Sequence, residues 1–411
     1  MTSLSDLRIP YGAYWSTPFA RWQMSLADLH SLKFAAVTAA KVAKDKQWPI
    51  EAIDHAVLGF TVPQDKCFYG APWVMSMMGA PNVTGPTVMQ ACATSPRALS
   101  ASASDLCNGN ATASLVVTCD RTSNSPVLMH PNPRGPSGSP DIENWVLDNF
   151  REDPNAHVAM VDTAENCARD WQISTEEQHD LVALRYDQYR DALKDDAAFL
   201  RRFMTLPFSV PDHKFRKEVA TMTGDQGIHD TTLEGLKKLK PVKEGGTVTF
   251  GGQTHPADGN AGMMLTAKDR VSEFTSEPGI EIRILGFGQA RERVAYMPAA
   301  PVKAAKRALD AAGLSIDKID VIKSHNPFVV NDIVFSRETG VDPKKMNNYG
   351  CSLVFGHPQG PTGLRLIIEM IEELAMRGGG NGLFHGCAAG DSSMSVVVSV
   401  QDKRKQNGHK S

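Results

Sequence analysis

Apolar and polar residues follow a pattern that occurs twice along the chain. Residues 39–60 read AAKVAKDKQWPIEAIDHAVLGF, and residues 304–325 read AAKRALDAAGLSIDKIDVIKSH. In each copy, an alanine- and lysine-rich helical segment precedes a short turn and a compact apolar run. This order of helix, turn and strand is half of a unit in which parallel strands are buried between helices. We therefore predict an α/β protein with a duplicated fold.

The segments that follow show the same order of elements in the two copies. In the first, TVMQACA runs into the helix-like SPRALSASASDLCNG and the apolar ASLVVTC. In the second, NNYGCSLVFGHPQGPTG runs into the helix-like LRLIIEMIEELAMRG and then GLFHGCAAG. Cys92 and His357 thus take equivalent places at two predicted helix N-termini. Because helix N-termini favour negative charge, we expect this position to favour a thiolate at Cys92.

A segment of different character separates the two copies. Residues 121–245 contain the turn-rich HPNPRGPSGSPD and the helix-like STEEQHDLVALRYDQYRDAL. The chain then returns as TVTFGGQTHPADGNAGMML, whose apolar ends predict two strands around a glycine turn. We interpret residues 121–245 as a loop domain inserted into the first of two domains, 1–280 and 281–411.

Charge and composition limit the classes of partner. Lys plus Arg total 43 against 46 Asp plus Glu, and this net charge of −3 gives no overall attraction to nucleic acid or to an anionic membrane. The N-terminal residues lack the basic start and apolar core of a secretion signal, and no apolar run is long enough to span a bilayer. We expect a cytoplasmic protein with no nucleic-acid or membrane partner.

The seven cysteines form no CxxC pair and no CxxC…HxxxH spacing, so the sequence predicts neither a disulfide framework nor a zinc site. Most of them are expected to be buried reduced thiols. The densest basic pieces, at residues 201–203 and 213–217, are either solvated surface or the local face that holds an anionic ligand.

Seven short motifs occur in the order in which thiolases carry them. They are QACATS (90–95), TAEN (163–166), TLEGLKKLKPV (232–242), DG (258–259), HNPF (325–328), GHPQGPTG (356–363) and GCAAG (386–390). The chain resembles the thiolase family over roughly residues 8–400. The resemblance implies a thiolase fold of two βαβαβαββ halves in five αβαβα layers, with an inserted loop domain that contacts coenzyme A. It further implies a homodimer or tetramer that uses acyl-CoA and CoA and holds no permanent cofactor or metal.

The resemblance also implies roles for individual residues. Cys92 corresponds to the acylated nucleophile, and His357 to the base that takes its proton. Cys387 corresponds to the cysteine that moves a proton at the α-carbon of the acyl-CoA product. His325 would polarise the thioester oxygen together with His357, and the backbone N–H groups of Cys92 and Ala389 would form a second oxyanion site.

Substrate contacts are expected at further positions. Thr254 corresponds to the residue whose hydroxyl contacts the pantetheine of CoA, and His255 lies beside it. Phe328 of the HNPF motif is placed at the substrate, and Arg201 and Arg202 are the candidates for the CoA phosphates.

The chain also departs from the usual family pattern. Ala388 and Ala389 replace glycines of the CIGGG motif, and Asn326 with Pro327 replaces Glu and Ala of the NEAF or HEAF box. Arg97, one helical turn past the nucleophile, either meets a substrate carboxylate, points to solvent or pairs with an acid. These departures resemble the thiolases of anaerobic toluene breakdown. That likeness implies cleavage of 2-benzoylsuccinyl-CoA to benzoyl-CoA and succinyl-CoA, with a small zinc- and OB-fold-containing partner subunit.

Two other classes share parts of this pattern. Biosynthetic condensing enzymes, namely acetoacetyl-CoA thiolases and the ketoacyl or hydroxymethylglutaryl-CoA synthases, have the duplicated fold and a nucleophilic cysteine. The synthases lack a second catalytic cysteine in a terminal loop, so Cys387 favours a thiolase. A non-catalytic acyl-CoA-binding scaffold would not need Cys92, His325, His357 and Cys387 together.

Overall fold

The computed structural model describes residues 3–406, so the outermost residues of the predicted domains 1–280 and 281–411 lie outside the described part. The strands are β1 (Leu7–Arg8), β2 (Tyr14–Ser16), β3 (Ala20–Arg21), β4 (His55–Gly59), β5 (Thr87–Val88), β6 (Ala113–Arg121), β7 (Val127–His130), β8 (Asp141–Asn144), β9 (Phe208–Pro211), β10 (Glu218–Met222), β11 (Ala257–Ala267), β12 (Ile280–Arg291), β13 (Val321–His325), β14 (Gly379–Ala388) and β15 (Ser392–Asp402).

The helices are α1 (Ser31–Asp45), α2 (Gly70–Met78), α3 (Thr94–Cys107), α4 (Leu147–Arg151), α5 (Met160–Asp170), α6 (Thr175–Ala192), α7 (Lys194–Ala197), α8 (Leu233–Leu236), α9 (Ala300–Ala312), α10 (Val330–Thr339), α11 (Ser352–Phe355), α12 (Thr362–Arg377) and α13 (Lys403–Gln406). Within residues 3–406, none of them has both the length and the apolar character needed to cross a bilayer.

Two mixed sheets form the frame. The first has the order β1-β11-β6-β4-β5, with β2 and β3 also paired to β11, and the second has the order β12-β15-β14-β13. Strands β4 and β6 are parallel, as are β13 and β14, whereas β11 and β15 run antiparallel to β6 and β14. The pair α1 and β4 thus corresponds to the pair α9 and β13. The duplication predicted from the sequence is present.

Helices cover both faces of both sheets. In the first sheet, Val57 and Val116 belong to the core that contains α3, whereas Leu58 and Val117 belong to the core under α1 and α2. In the second sheet, α12 packs on one face and α9 on the other. Helices α3 and α12 contact each other between the sheets. The chain therefore has the predicted layered α/β fold.

The inserted segment leaves and returns at neighbouring strands. Strand β6 ends at Arg121, which is opposite Asp258 near the start of β11. Between these strands lie the hairpins β7–β8 and β9–β10 and the helices α4 to α8. The helix predicted at residues 174–193 is α6. The limits of this segment as a separate loop domain stay a prediction.

One strand prediction is wrong. The stretch at residues 247–250 forms only an isolated bridge between Thr249 and Pro241, and not a strand before β11. The carboxylate of Glu165 in α5 accepts hydrogen bonds from the backbone N–H groups of Thr247 and Val248, at 2.9 and 2.8 Å. These donors are therefore satisfied by a side chain and not by a neighbouring strand.

Two buried ion pairs attach the inserted segment to the second half of the chain. Arg185 in α6 lies 2.9 Å from Asp332 in α10, and Asp225 lies 2.6 Å from Arg365 in α12, with all four side chains 0% exposed. Arg365 also contacts Glu369, which pairs with Lys323. The charges of this second network cancel, as burial without water requires.

Removal of one charge should therefore destabilise the fold. We expect Asp225→Ala to lower the free energy of unfolding by about 3–5 kcal/mol, because the network around Arg365 would keep one uncompensated positive charge. The matched change Asp230→Ala removes an aspartate that is 91% exposed, and it should cost at most about 1 kcal/mol. Urea unfolding of both variants measures the difference, and equal losses would contradict the role of burial.

Candidate active site

Cys92 occupies a sharp turn between β5 and α3. The residue before it, Ala91, has a φ of 43°, a left-handed conformation that costs energy for a residue with a side chain. Thr94 holds the turn: its hydroxyl donates to the Ala91 carbonyl at 2.7 Å and accepts from the Gln90 N–H at 2.9 Å. The thiol is thereby fixed at the start of α3, where the sequence predicted it.

His357 lies at the corresponding place before α12. Its backbone N–H donates to the carbonyl of His255 at 2.8 Å, and its Nδ1 lies 2.7 Å from the hydroxyl of Thr362. The preceding Gly356 has a φ of 90°, and a Cβ there would lie 2.7 Å from the His255 ring. A glycine is therefore required at this turn.

His325 ends β13 and meets His357 side by side. The two ring centroids are 4.0 Å apart and the planes are inclined by 32°. The Nδ1 of His325 lies 2.8 Å from the hydroxyl of Ser352. Both Nε2 atoms are buried without a hydrogen-bond partner. Because each Nδ1 is engaged, the Nε2 atoms are the free functional groups of the pair.

A buried polar network holds His325 in place. Ser352 also contacts the side chain and backbone N–H of Asn326, and the Asn326 amide donates to Asp332 at 2.7 Å. Asp332 in turn pairs with Arg185 from the inserted segment. The residue that replaces the usual Glu of the family box is therefore part of the support of His325.

Cys387 is the next-to-last residue of β14, is fully buried and receives a hydrogen bond of 3.2 Å from the side-chain amide of Asn331. Burial raises the pKa of the Cys387 thiol, and the nearby Cys92 raises it further, so the two sulfurs are electrostatic neighbours. Together with the histidines, they place all four predicted residues around one site. Sequence reasoning missed Asn331, and the available signal was the Asn–Asp pair inside the apolar run FVVNDIVF.

The thiol and imidazole of the site are neutral in the resting protein. Burial raises the pKa of Cys92 to about 12, against the opposing effect of a hydrogen bond from the Ala389 backbone. Burial lowers the pKa of His357 to about 3 and holds the pKa of His325 well below its usual range. The thiolate expected from the helix N-terminus is therefore not the resting state, because desolvation outweighs the helix dipole.

The residues at the predicted second oxyanion site lie beside the nucleophile. The Ala389 backbone group that lowers the Cys92 pKa points at the thiol. Ala388 is fully buried and packs with Ala93 and Met394. The methyl group of Ala388 is thus accommodated beside the site, whereas Ala389 is exposed.

Three of the predicted substrate contacts adjoin the histidines. The N–H of Thr254 donates to Pro327 at 2.8 Å and its hydroxyl donates to the carbonyl of Ser352 at 2.5 Å. His255 accepts from the His357 backbone, as described above. Phe328 is buried, and its backbone pairs with that of Gln253 in an isolated antiparallel β-bridge. Thr254 thus already donates its proton within the protein and keeps only acceptor capacity.

Arg97 lies near the nucleophile but has no acid beside it. Its guanidinium donates to Gln90 at 2.9 Å and to Gln289 of β12, and it forms no ion pair within the described residues. Sequence reasoning left a carboxylate, solvent or an acidic partner open for this side chain. The amide partners observed leave its positive charge uncompensated.

Arg201 and Arg202 are engaged elsewhere. Arg201 bonds the backbone of Asp196 and Leu206, and Arg202 lies 2.7 Å from Glu372 and 2.9 Å from the Tyr11 hydroxyl. Glu372 is ten residues beyond Thr362 in α12, about 15 Å along the helix from the catalytic end. Each side chain is still about one third exposed, at 37% for Arg201 and 34% for Arg202, and their role at CoA stays a prediction.

The site also contains three potential metal ligands. One donor atom from each of Cys92, His325 and His357 lies within 4.8 Å of the others. A tetrahedral zinc ion would need these atoms at about 3.4–3.6 Å, with the lone pairs of the two rings converging. The two rings are inclined by only 32° with centroids 4.0 Å apart. The arrangement suits proton transfer and oxyanion binding better than metal coordination.

The site and the fold together define a duplicated α/β enzyme class with a Cys–His–His–Cys centre, and known proteins identify the family. Residues 13–269 match the family described as Thiolase, N-terminal domain, and residues 280–400 match Thiolase, C-terminal domain. The chain belongs to the thiolase family.

Individual relatives cover nearly the whole chain. It is 28% identical over 394 residues to an acetyl-CoA acetyltransferase of Saccharomyces cerevisiae, covering 93% of this chain and 96% of that protein. It is 28% identical over 387 residues to a mitochondrial 3-ketoacyl-CoA thiolase of Rattus norvegicus, with the same coverage of 93% and 96%.

Solved structures are similar as well. The human mitochondrial 3-ketoacyl-CoA thiolase has a TM-score of 0.86 and 26% identity, covering 96% of this chain and 99% of that chain. An acetyl-CoA acetyltransferase of Bacillus anthracis has a TM-score of 0.87 at 23% identity, covering 97% and 100%, which is a likeness in fold.

The neutral state of Cys92 and His357 predicts how the rate of Cys92 alkylation depends on pH. Only a thiolate is alkylated, so the rate of Cys92 alkylation by iodoacetamide should rise about tenfold per pH unit from about pH 6 to about pH 9. The sign follows from the raised pKa of Cys92, because the thiolate fraction grows throughout this range. Peptide mass spectrometry separates Cys92 from the other thiols. A plateau at neutral pH would instead indicate a preformed thiolate–imidazolium pair.

Proposed function

We propose that this chain is an acyltransferase that cleaves a 3-oxoacyl-CoA with free CoA through an acyl-Cys92 intermediate. The observation that carries the proposal is the convergence of Cys92, His325 and His357 within 4.8 Å, with Cys387 as an electrostatic neighbour. The names of the relatives, acetyl-CoA acetyltransferase and 3-ketoacyl-CoA thiolase, support the same reaction class.

In the first half-reaction, the Cys92 sulfur attacks the 3-keto carbon while His357 Nε2 takes the thiol proton. The backbone N–H groups of Cys92 and Ala389 stabilise the resulting oxyanion. The carbon–carbon bond then breaks, and its electron pair passes to the α-carbon of the departing acyl-CoA. His325 and protonated His357 stabilise the thioester oxygen, and Cys387 supplies the proton to carbon.

In the second half-reaction, the Cys387 thiolate takes the proton of the incoming CoA thiol. The CoA sulfur attacks the acyl carbon, and Cys92 leaves as a thiolate that regains its proton from His357. All three side chains return to their starting protonation states. The neutral resting site is therefore sufficient for both halves, provided that proton transfer accompanies each attack.

CoA is the proposed co-substrate, with no permanently bound cofactor. A solved structure of the human mitochondrial 3-ketoacyl-CoA thiolase in complex with CoA, 25% identical to this chain, supports it. We place the phosphate contacts at Arg21 and His229. These side chains contact each other, and both add to the lowering of the His255 pKa that burial causes. Arg21 forms no ion pair among residues 3–406, in contrast to Arg201.

Cys387→Ala tests the mechanism. We expect thiolysis to slow by on the order of 10²–10⁴-fold, because the proton carrier at the α-carbon is lost. Acylation of Cys92 by a simple activated thioester needs no carbanion and should persist, as an acyl adduct on the Cys92 peptide. The control Cys119→Ala changes a buried thiol on β6 outside the site. Unchanged thiolysis in Cys387→Ala, or an adduct on Cys387 alone, would refute the assignment.

The same experiment separates the alternatives. A synthase-like condensing enzyme would not depend on Cys387 for its proton transfer, whereas a biosynthetic thiolase would, in the reverse direction. A non-catalytic acyl-CoA-binding scaffold would form no adduct on Cys92. The hydrogen bond from Asn331 to Cys387 favours a thiolase, because it can stabilise the thiolate that forms after proton donation.

For the substrate, we propose an acyl-CoA with a second carboxylate, of which 2-benzoylsuccinyl-CoA is the specific candidate. The uncompensated charge of Arg97 supports this choice, since a guanidinium binds a carboxylate through strong paired hydrogen bonds. We further propose that the chain forms a homodimer or tetramer in the cytoplasm. A small zinc- and OB-fold-containing subunit is its proposed partner. The exposed Phe68, Tyr69 and Met89 near the edge strand β5 support self-association, which sedimentation would measure.

Arg97→Gln tests the acidic substrate. We expect kcat/KM for 2-benzoylsuccinyl-CoA to fall by about 10- to 100-fold, which corresponds to one lost charge-assisted contact. A neutral 3-oxoacyl-CoA measured in parallel should be unaffected, because the substituted amide keeps the polarity of the site. Each assay is run with and without the candidate small subunit. Equal losses for both substrates would exclude Arg97 as the carboxylate contact.

A further inference from the structure

Gln359 lies two residues after His357, and its side chain contacts the nucleophile. The Cys92 thiol donates a hydrogen bond to Oε1 of Gln359 at 3.3 Å. Gln359 is only 7% exposed, whereas Cys92 is partly exposed. His357 Nε2, which takes the thiol proton in the proposed mechanism, receives no hydrogen bond from the thiol. Burial lowers the pKa of His357, and the Gln359 side chain opposes this by hydrogen bonding, so the same amide acts on both groups. The resting thiol therefore directs its proton at an amide and not at the base.

The backbone at Gln359 is strained. Its φ is 66°, in the left-handed region that favours glycine. A residue with a side chain pays on the order of 1 kcal/mol or more in that conformation. Glycine would avoid this cost but would leave the thiol without the amide. The strain thus places a specific functional group against the reacting sulfur.

The neighbouring residue keeps the loop in this conformation. The N–H of Gly360 donates to the buried carboxyl group of Asp120 at 2.8 Å, and its carbonyl accepts from the hydroxyl of Ser95. Asp120 is itself held by the backbone N–H groups of Thr61 and Val62, each at 2.8 Å. These bonds connect the loop to α3 and to the end of β4. The position of the Gln359 side chain is therefore determined by the core.

We propose that Gln359 is a catalytic residue that holds the Cys92 thiol protonated and unreactive until a thioester enters the site. A hydrogen bond from S–H to an acceptor stabilises the thiol relative to the thiolate. On substrate binding, the S–H group turns from Gln359 Oε1 to His357 Nε2, and the proton moves only as the sulfur attacks. The resting enzyme is thereby protected from alkylation and oxidation.

This inference rests on the proposed function only in taking Cys92 as the nucleophile. The electrostatics of the site agree with it, because burial favours the neutral forms of both Cys92 and His357. In a site of low polarity, even a weak S–H donor is best satisfied by a fixed acceptor.

Two substitutions at the same position test the acceptor. Gln359→Met keeps the length and the backbone strain but removes the amide oxygen. Gln359→Glu keeps an acceptor oxygen and adds negative charge. At fixed neutral pH and without substrate, we expect iodoacetamide to alkylate Cys92 about 3- to 10-fold faster in Gln359→Met, as expected for one lost hydrogen bond. Gln359→Glu should react no faster than the wild type.

A faster alkylation in Gln359→Met but not in Gln359→Glu would show that Gln359 acts as a hydrogen-bond acceptor and not only through packing. Loosening of the loop would accelerate alkylation in both variants and would overturn the proposal, as would an unchanged rate in Gln359→Met. The infrared S–H stretch of the wild type, identified by its loss in Cys92→Ala, should lie at the lower frequency of a hydrogen-bonded thiol. A free-thiol frequency would also refute it. Neither measurement requires thiolase activity, so failure of the proposed reaction would be recognised separately.

Discussion

The close packing of α3 against α12 between the two sheets is the constraint on which the rest of the structure depends. Side chains at the contact must be small: a Cβ on Gly363 would lie 3.0 Å from Pro96 and 3.2 Å from Ser95. The Ala- and Ser-rich sequence of α3 satisfies this condition. Because both helices begin at the same end of the layer, Cys92 and His357 meet there as a direct result of core packing.

Burial of this centre determines its chemistry. Charged side chains in the surrounding core are paired, as in Arg185 with Asp332. The thiols and imidazoles of the candidate site have no such counter-charges, and burial favours their neutral forms. Neutral groups are less reactive in the absence of substrate. Each of them can still accept or donate one proton when charge develops in a bound substrate. The supporting network is thus charged and paired, whereas the neighbouring reactive groups are neutral.

The sequence was sufficient for the repeated elements and for the choice of four side chains that the fold brings together, because periodicity and motif order are local properties. The repeat at residues 39–60 and 304–325 predicted α1, β4, α9 and β13. It was not sufficient for features that depend on partners distant in the chain. Glu165 replaces a strand partner at residues 247–248, and Glu372 pairs with Arg202 from a position 170 residues further along the chain.

Electrostatic balance was equally inaccessible from the sequence. The helix N-terminus at Cys92 is visible in the pattern, but the desolvation that outweighs it exists only in the folded chain. Asn331 was overlooked for a similar reason, since only the fold brings α10 beside the end of β14.

The inserted segment has a consequence for how such enzymes diversify. Its ends lie on adjacent strands, opposite each other at Arg121 and Asp258, so its length can change at little entropic cost to the sheets. The contacts that attach it to the second half tolerate less change, because Arg185 and Asp225 neutralise buried charges of that half. A segment of different sequence inserted at this place would therefore have to carry both of these side chains to keep the buried charges of the second half paired.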